Sequence, residues 1–195
     1  YDSSVRPLVG AFVSSQAKCT CFAYGQTGSG KTYVSFLMCL HCACRFTMLG
    51  NSSNNDNSVH GIFPLAVYDL FSQLPEDVNV CVSFYEIYCG KLFDLLNGRR
   101  HLHARENARG NVILQGITEF KASSAEQLIS QVFLGLTART TGVTGANVDS
   151  SRSHAIIQIT LKKGLISTGA KLSFIDLAGS ERGADTVEQD KQTRL

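Results

Sequence analysis

Gly25-Gln26-Thr27-Gly28-Ser29-Gly30-Lys31-Thr32 satisfies the pattern G-x-x-x-x-G-K-[ST] at every fixed position. These residue types suit one task, holding a polyphosphate. Glycines let the backbone curl until successive N–H groups converge on phosphate oxygens, and a helix starting near Lys31 adds the positive end of its dipole. Lys31 is expected to reach the β- and γ-phosphates, and the Thr32 hydroxyl to ligate Mg2+. Two further stretches complement such a loop. Phe174-Ile175-Asp176-Leu177-Ala178-Gly179 is an apolar run ending in a carboxylate and a glycine, the form of a Walker-B site. There Asp176 would take a water of the Mg2+ shell and the Gly179 N–H would sense the γ-phosphate. Asn147-Val148-Asp149-Ser150-Ser151-Arg152-Ser153-His154 sets several hydroxyls beside a guanidinium, directly before an apolar run. Each stretch also has a plainer reading: a glycine-rich turn, a strand that happens to end in Asp, a polar loop with capping serines.

Such groups need a scaffold, and the hydrophobic periodicity supplies one. Val5, Leu8, Val9, Phe12 and Val13 recur at helical spacing, with Asp2 or Ser3 as the expected cap and Pro7 early enough to be tolerated. Residues 18–23 read as a buried strand feeding the glycine-rich loop, and 52–58 as a polar loop. A helix is expected over 61–74, with Ile62, Val67, Leu70, Phe71 and Leu74 on its apolar side. Residues 78–88 are rich in Val, Phe and Tyr and read as a strand, followed by short strands at 91–95, 101–105 and 112–114. A helix over 124–138 carries the stripe Leu128, Ile129, Val132, Phe133 and Leu136, capped by Ser123 or Ser124. Strands at 155–161 and 172–175 complete the set. Helices interleaved with strands around a phosphate loop predict an α/β fold whose central sheet is covered by helices on both faces. There is no internal repeat.

Length and composition fit that picture. A chain of 195 residues, 44% hydrophobic and 17% charged, is enough for one domain with a real core. A net charge of +2 gives no case for nucleic acid as a partner. No signal peptide is visible, and no apolar run is long enough to cross a membrane. The seven cysteines are odd in number and lack the spacing of a disulfide framework, so free thiols are expected. Cys39, His41, Cys42 and Cys44 are close enough to suggest zinc, but the second ligand pair of a structural site is missing. The chain starts at Tyr1 and its first methionine is Met38, which suggests a fragment or an incomplete gene model.

Together these motifs resemble the kinesin motor domain, a P-loop NTPase fold. The loop at 25–32, an N-x-x-S-S-R-S-H switch I at 147–154 and Asp-Leu-Ala-Gly-Ser-Glu at 176–181 as switch II occur in the family's order and approximate spacing. Glu86-Ile87-Tyr88 and Asp94-Leu95-Leu96 match its E-I-Y and D-L-L signature. The resemblance implies a microtubule-stimulated ATPase using ATP and Mg2+, with tubulin as partner and the microtubule cytoskeleton of the cytoplasm as its location. By the same resemblance, residues 25–32 and Asn147 would bind nucleotide. Thr32 and Ser151 would complete the Mg2+ site, with Asp176 acting through water. Ser150 would orient the attacking water, and an Arg152–Glu181 bridge would close the site around the γ-phosphate, with Gly179 as its sensor.

Tyr88-Cys89-Gly90-Lys91-Leu92-Phe93-Asp94-Leu95-Leu96 and the Arg182-Gly183-Ala184-Asp185-Thr186 stretch resemble the internal-motor, kinesin-13 class, which strips tubulin from microtubule ends. Against the family pattern, 1–195 reads as a partial motor domain. Its first strands, the adenine-side segment and the long tubulin-facing helix fall outside, which predicts a marginally folded, inactive piece. A truncated or mis-spliced fragment with impaired nucleotide binding is the alternative function. Arg99, Arg100, His101 and His103 form either a basic turn facing tubulin's acidic surface or a solvated turn. Residues 34–46 are an atypical apolar, Cys-rich insert between Tyr33 and Thr47. They read either as translated intron sequence or as a genuine extension of the helix after the phosphate loop. Oligomeric state is not legible.

Overall fold

The computed structural model describes residues 1–24, 48, 61–108, 110–141 and 153–178. In chain order the elements are α1 (Arg6–Ser14), β1 (Lys18–Ala23), α2 (Ile62–Gln73), β2 (Val78–Tyr88) and β3 (Lys91–Asp94). There follow β4 (Arg100–Glu106), β5 (Val112–Gln115), β6 (Phe120–Ala122), α3 (Ala125–Thr141), β7 (Ser153–Lys163) and β8 (Ile166–Asp176). The strands form one mixed sheet in the order β1-β8-β7-β2-β3-β4-β5, with β6 also pairing with β2. Among the described residues only β1 and β8 run parallel; the other pairs are antiparallel.

The register explains the core. Val82 lies opposite Ile159, Ile159 opposite Leu172, and Leu172 opposite Cys19, so one row of apolar side chains crosses four strands on one face. On that face the row joins Phe12 of α1, Val67 of α2 and Val132 of α3 in one buried cluster. α1 packs on α2 and α2 on α3, with α1 over β1 and β8 and α3 over β2 and β6. The expected α/β fold is therefore present, and the three described helices share a single face of the sheet. A long parallel or antiparallel central strand of this kind must be apolar on its covered side, which is why β2 alternates Val80, Val82 and Phe84 there.

Among the described residues the expected helices and strands are present with adjusted ends, although β1 is half-exposed and not the buried strand expected; the polar loop at 52–58 and the helix starting near Lys31 lie outside the described residues. The helix over 124–138 continues to Thr141, and the strand expected at 172–175 is the last part of the longer β8. β6 has no counterpart among the expected strands. Neither Asp2 nor Ser3 caps α1: its N-cap is Val5, and Asp2 instead pairs with Arg6 one turn on, at 3.0 Å. Ser124 does cap α3, accepting from the Gln127 N–H at 3.2 Å, while Gln127 Oε1 reaches back to the Ser123 N–H at 2.7 Å. Phe133 leaves the expected stripe and is 37% exposed, whereas Leu128, Val132 and Leu136 are buried. Cys19, Cys21, Cys81 and Cys89 are free thiols, as expected; Cys39, Cys42 and Cys44 lie outside the described residues. Among the described residues, no helix is long and apolar enough to cross a membrane.

Candidate functional site

Three chain segments meet at one end of the sheet. β1 and β8 run parallel and finish level, Ala23 opposite Asp176, so their carboxyl ends lie side by side. That is where open α/β sheets hold ligands. β7 begins there too, with Ala155 opposite Asp176. A second tie joins these segments: the Ala178 N–H donates to His154 Nδ1 at 3.0 Å.

Beneath this end lies a buried ionic group. Arg139, near the end of α3, is 7% exposed, and its two carboxylate partners are Glu86 at 3% and Asp176 at 9%. Nη1 of Arg139 donates to Asp176 Oδ2 at 3.1 Å and Nε donates to Glu86 Oε1 at 3.4 Å. Nη2 donates to the Ser153 hydroxyl at 2.8 Å and to its carbonyl at 3.3 Å. Glu86 is in turn held by Arg99, whose Nε and Nη2 lie 3.1 and 3.0 Å from Oε2. Two guanidinium groups and two carboxylates alternate, so the charges balance in a place where a lone charge would be costly. Gly135 lets α3 come this close: a Cβ there would lie 2.6 Å from Phe84 Cδ1. Arg139 follows one turn later on the same helix face.

The kinesin motor domain model matches residues 1–195. The chain belongs to the kinesin motor domain family. It is 44% identical over 200 residues to mouse (Mus musculus) kinesin-like protein KIF24, and 43% identical to the human (Homo sapiens) KIF24. It is 42% identical over 202 residues to kinesin-like protein KIN-13B of Arabidopsis thaliana. Each match covers 100% of this chain, which spans 13% of the mouse protein and 27% of the Arabidopsis one. Among solved structures it resembles the one described as "Structure of a fast kinesin: Implications for ATPase mechanism and interactions with microtubules", at 32% identity and a TM-score of 0.75. That match covers 98% of this chain and 54% of the other. The fold is accordingly the P-loop NTPase fold of kinesins.

Of the residues that the kinesin pattern singles out, Asp176 is described, at the end of β8 beside Arg139. Gly25 to Thr32, Asn147, Ser150, Ser151, Arg152, Gly179 and Glu181 lie outside the described residues, as do the insert at 34–46 and the Cys39–Cys44 group. Among the described residues no cluster of three or more His, Cys, Asp or Glu side chains is placed to hold a metal. The kinesin signature residues Glu86 and Asp94 turn out to be buried members of hydrogen-bonded networks. The basic turn divides. Arg99 faces inward to Glu86 and Arg100 donates to the Gly116 carbonyl at 2.6 Å, while His101 and His103 are exposed and stacked edge to face.

Arg139 was not among the expected site residues. Its signal was present: Leu128, Val132, Leu136 and Arg139 follow one another at spacings of four, four and three, which puts a cation on the buried stripe of α3. A buried cation demands a carboxylate partner from elsewhere in the fold.

Proposed function

We propose that this chain is the nucleotide-handling part of a kinesin motor that binds MgATP and hydrolyses it in step with microtubule binding. The observation that carries the reading is the parallel pairing of Ala23 with Asp176, two residues ahead of the glycine-rich loop. The fit is chemical as well as positional: Asp176 is an oxygen donor of the kind Mg2+ takes, directly or through water. Residues 25–32 would cradle the phosphates, with Lys31 on the β- and γ-phosphates and Asn147 beside the nucleotide. Thr32 and Ser151 would ligate Mg2+, and Asp176 would hold a water of its shell. When bound, the ion supplies charge neutralisation on the phosphates. Ser150 would orient the attacking water. Gly179 and an Arg152–Glu181 bridge would register the γ-phosphate, so that the site closes only on triphosphate.

The finer class, removal of tubulin from microtubule ends, is supported by the KIN-13 name of a 42% identical relative and by Gly90-Lys91-Leu92-Phe93-Asp94-Leu95-Leu96. The partner would be tubulin and the location the microtubule cytoskeleton of the cytoplasm. The test uses the intact protein: ATP turnover with and without microtubules, alongside the length of stabilised microtubules. Turnover stimulated by microtubules, with ends shortening, is expected. Absence of turnover in both conditions overturns the motor reading, and stimulated turnover without shortening removes the depolymerising class alone.

A further inference from the structure

His101 and His103 stand two residues apart on β4, on either side of Leu102, which is 2% exposed. Side chains alternate along a strand, so with Leu102 turned into the protein both imidazoles project from the opposite face, and both are exposed. β4 is paired on both sides at this point: His101 lies opposite Phe93 of β3, and His103 opposite Gln115 of β5. The two ladders fix the backbone from which the rings project. Phe93 meets the His101 ring edge to face at 5.6 Å, and the Arg99 guanidinium lies over Phe93 at 4.9 Å, so the first ring is held in place. The two imidazole centroids are 4.8 Å apart, with their planes at 67°. Neutral imidazole nitrogens are good ligands for Zn2+, Ni2+ and Cu2+.

We propose that His101 and His103 form a two-nitrogen chelate for a divalent transition-metal ion of the Zn2+ class. With Zn–N bonds of about 2.0–2.1 Å and tetrahedral angles, two imidazoles that share one ion have ring centroids about 5 Å apart. These rings already stand at that separation. Gln115, opposite His103, offers an amide oxygen as a further ligand, and water completes the shell. Lys91 and Arg105 alternate with the same face and repel a cation, so the affinity has to come from the nitrogen bonds. That selects against Mg2+ and Ca2+, which take oxygen ligands. β4 stands four positions from β8 in the sheet, about 19 Å at ordinary strand spacing, so this ion is separate from the Mg2+ assigned to Asp176.

The experiment measures Zn2+ bound per chain by equilibrium dialysis of the intact protein, with Mg2+ in excess. The cysteines contribute the same background to every sample, so the comparison between variants isolates the pair. His101→Ala and His103→Ala are each expected to lose one Zn2+ per chain, and the double variant to lose no more than either single one, because one ion needs both rings. Both side chains are exposed, so the fold should survive. Should an alanine variant fail to fold, His101→Phe or His103→Phe keeps a ring without the nitrogens and is expected to lose the same ion. Unchanged stoichiometry in the folded single variants overturns the proposal. So does a double variant that loses twice what a single one loses, since the rings would then bind independently, and so does displacement of the ion by Mg2+.

Discussion

Asp94 and Asp176 are both buried aspartates at strand ends, both followed by Leu, and the fold treats them in opposite ways. Asp94, with none of its surface exposed, gives one oxygen to the Leu96 N–H at 3.0 Å and the other to the Thr118 N–H at 2.8 Å. Its partners are main-chain groups, so it closes a turn after β3 and ties the segment before β6 to it. Asp176 is met by a guanidinium from a helix that comes 37 residues earlier in the chain. A carboxylate bonded to backbone amides is a staple whose geometry is set once the turn forms. A carboxylate bonded to a side chain on another element has an orientation that this second residue sets. Burial alone does not distinguish these two roles; the nature of the partner does.

The largest expected effect tests that difference. Asp94→Ala removes both acceptors and leaves two backbone donors orphaned at half-buried positions, a loss of about 2–4 kcal/mol in unfolding free energy. Asp94→Asn keeps one acceptor and should lose about half as much. Asp176→Asn keeps an oxygen for Arg139, so denaturant unfolding should register less for it than for Asp94→Ala. If the two substitutions cost the same in urea titrations, the contrast between staple and oriented group is lost.

Much of this contrast was hidden from the sequence for physical reasons. β2 was legible almost to the residue because Val, Phe and Tyr fill it and turns bound it. The first half of β8 was not, since Ser167, Thr168 and Gly169 carry no apolar alternation and only pairing with β7 makes them a strand. β6 is three residues long, too short for any period to show. The Asp176 motif was plain, but the residue that holds it was not. Arg139 looks like a last-turn basic residue suited to the helix dipole, and its partners at Glu86 and Asp176 lie 53 and 37 residues away. Local pattern finds groups that act on a ligand. It does not find a group whose partners are assembled by the fold.

Gly135 sharpens the comparison at intermediate cost, because it sets how closely α3, which carries Arg139, approaches β2. A methyl at Gly135 would lie 2.6 Å from Phe84 Cδ1 and 3.3 Å from Leu96 Cδ2, and the Phe84 ring is fully buried. The cavity beside that ring is only about 20 Å3, space for roughly one water and not for a displaced ring. Replacing a mid-helix glycine gains about 1 kcal/mol in propensity, while overpacking costs about 1–3 kcal/mol. With a fully buried ring opposing it, the clash wins, and Gly135→Ala should destabilise by about 1–2 kcal/mol in thermal or denaturant unfolding. A variant more stable than wild type would show that α3 does not press on β2 as the distances indicate.

A third aspartate extends the series to the surface and carries the smallest effect. Asp69 on α2 accepts from the Tyr1 hydroxyl and, at 3.1 Å, from Arg6 Nε, tying the segment before α1 to α2. The Tyr1 hydrogen bond, with Arg6 behind it, holds the Asp69 carboxyl below the usual carboxylate range. A carboxyl depressed in the folded state adds stability above its unfolded value near 3.9, and that stability is lost as the pH falls through the folded value. Acid unfolding followed by circular dichroism should therefore begin at higher pH in Asp69→Asn than in wild type, while the two differ by a constant amount near neutrality. The shift should be smaller than either substitution above produces, since water competes for this half-exposed pair and salt screens it. Raising the ionic strength should narrow the gap between Asp69→Asn and wild type, yet leave the Asp94→Ala deficit unchanged, because only the surface contact is open to mobile ions.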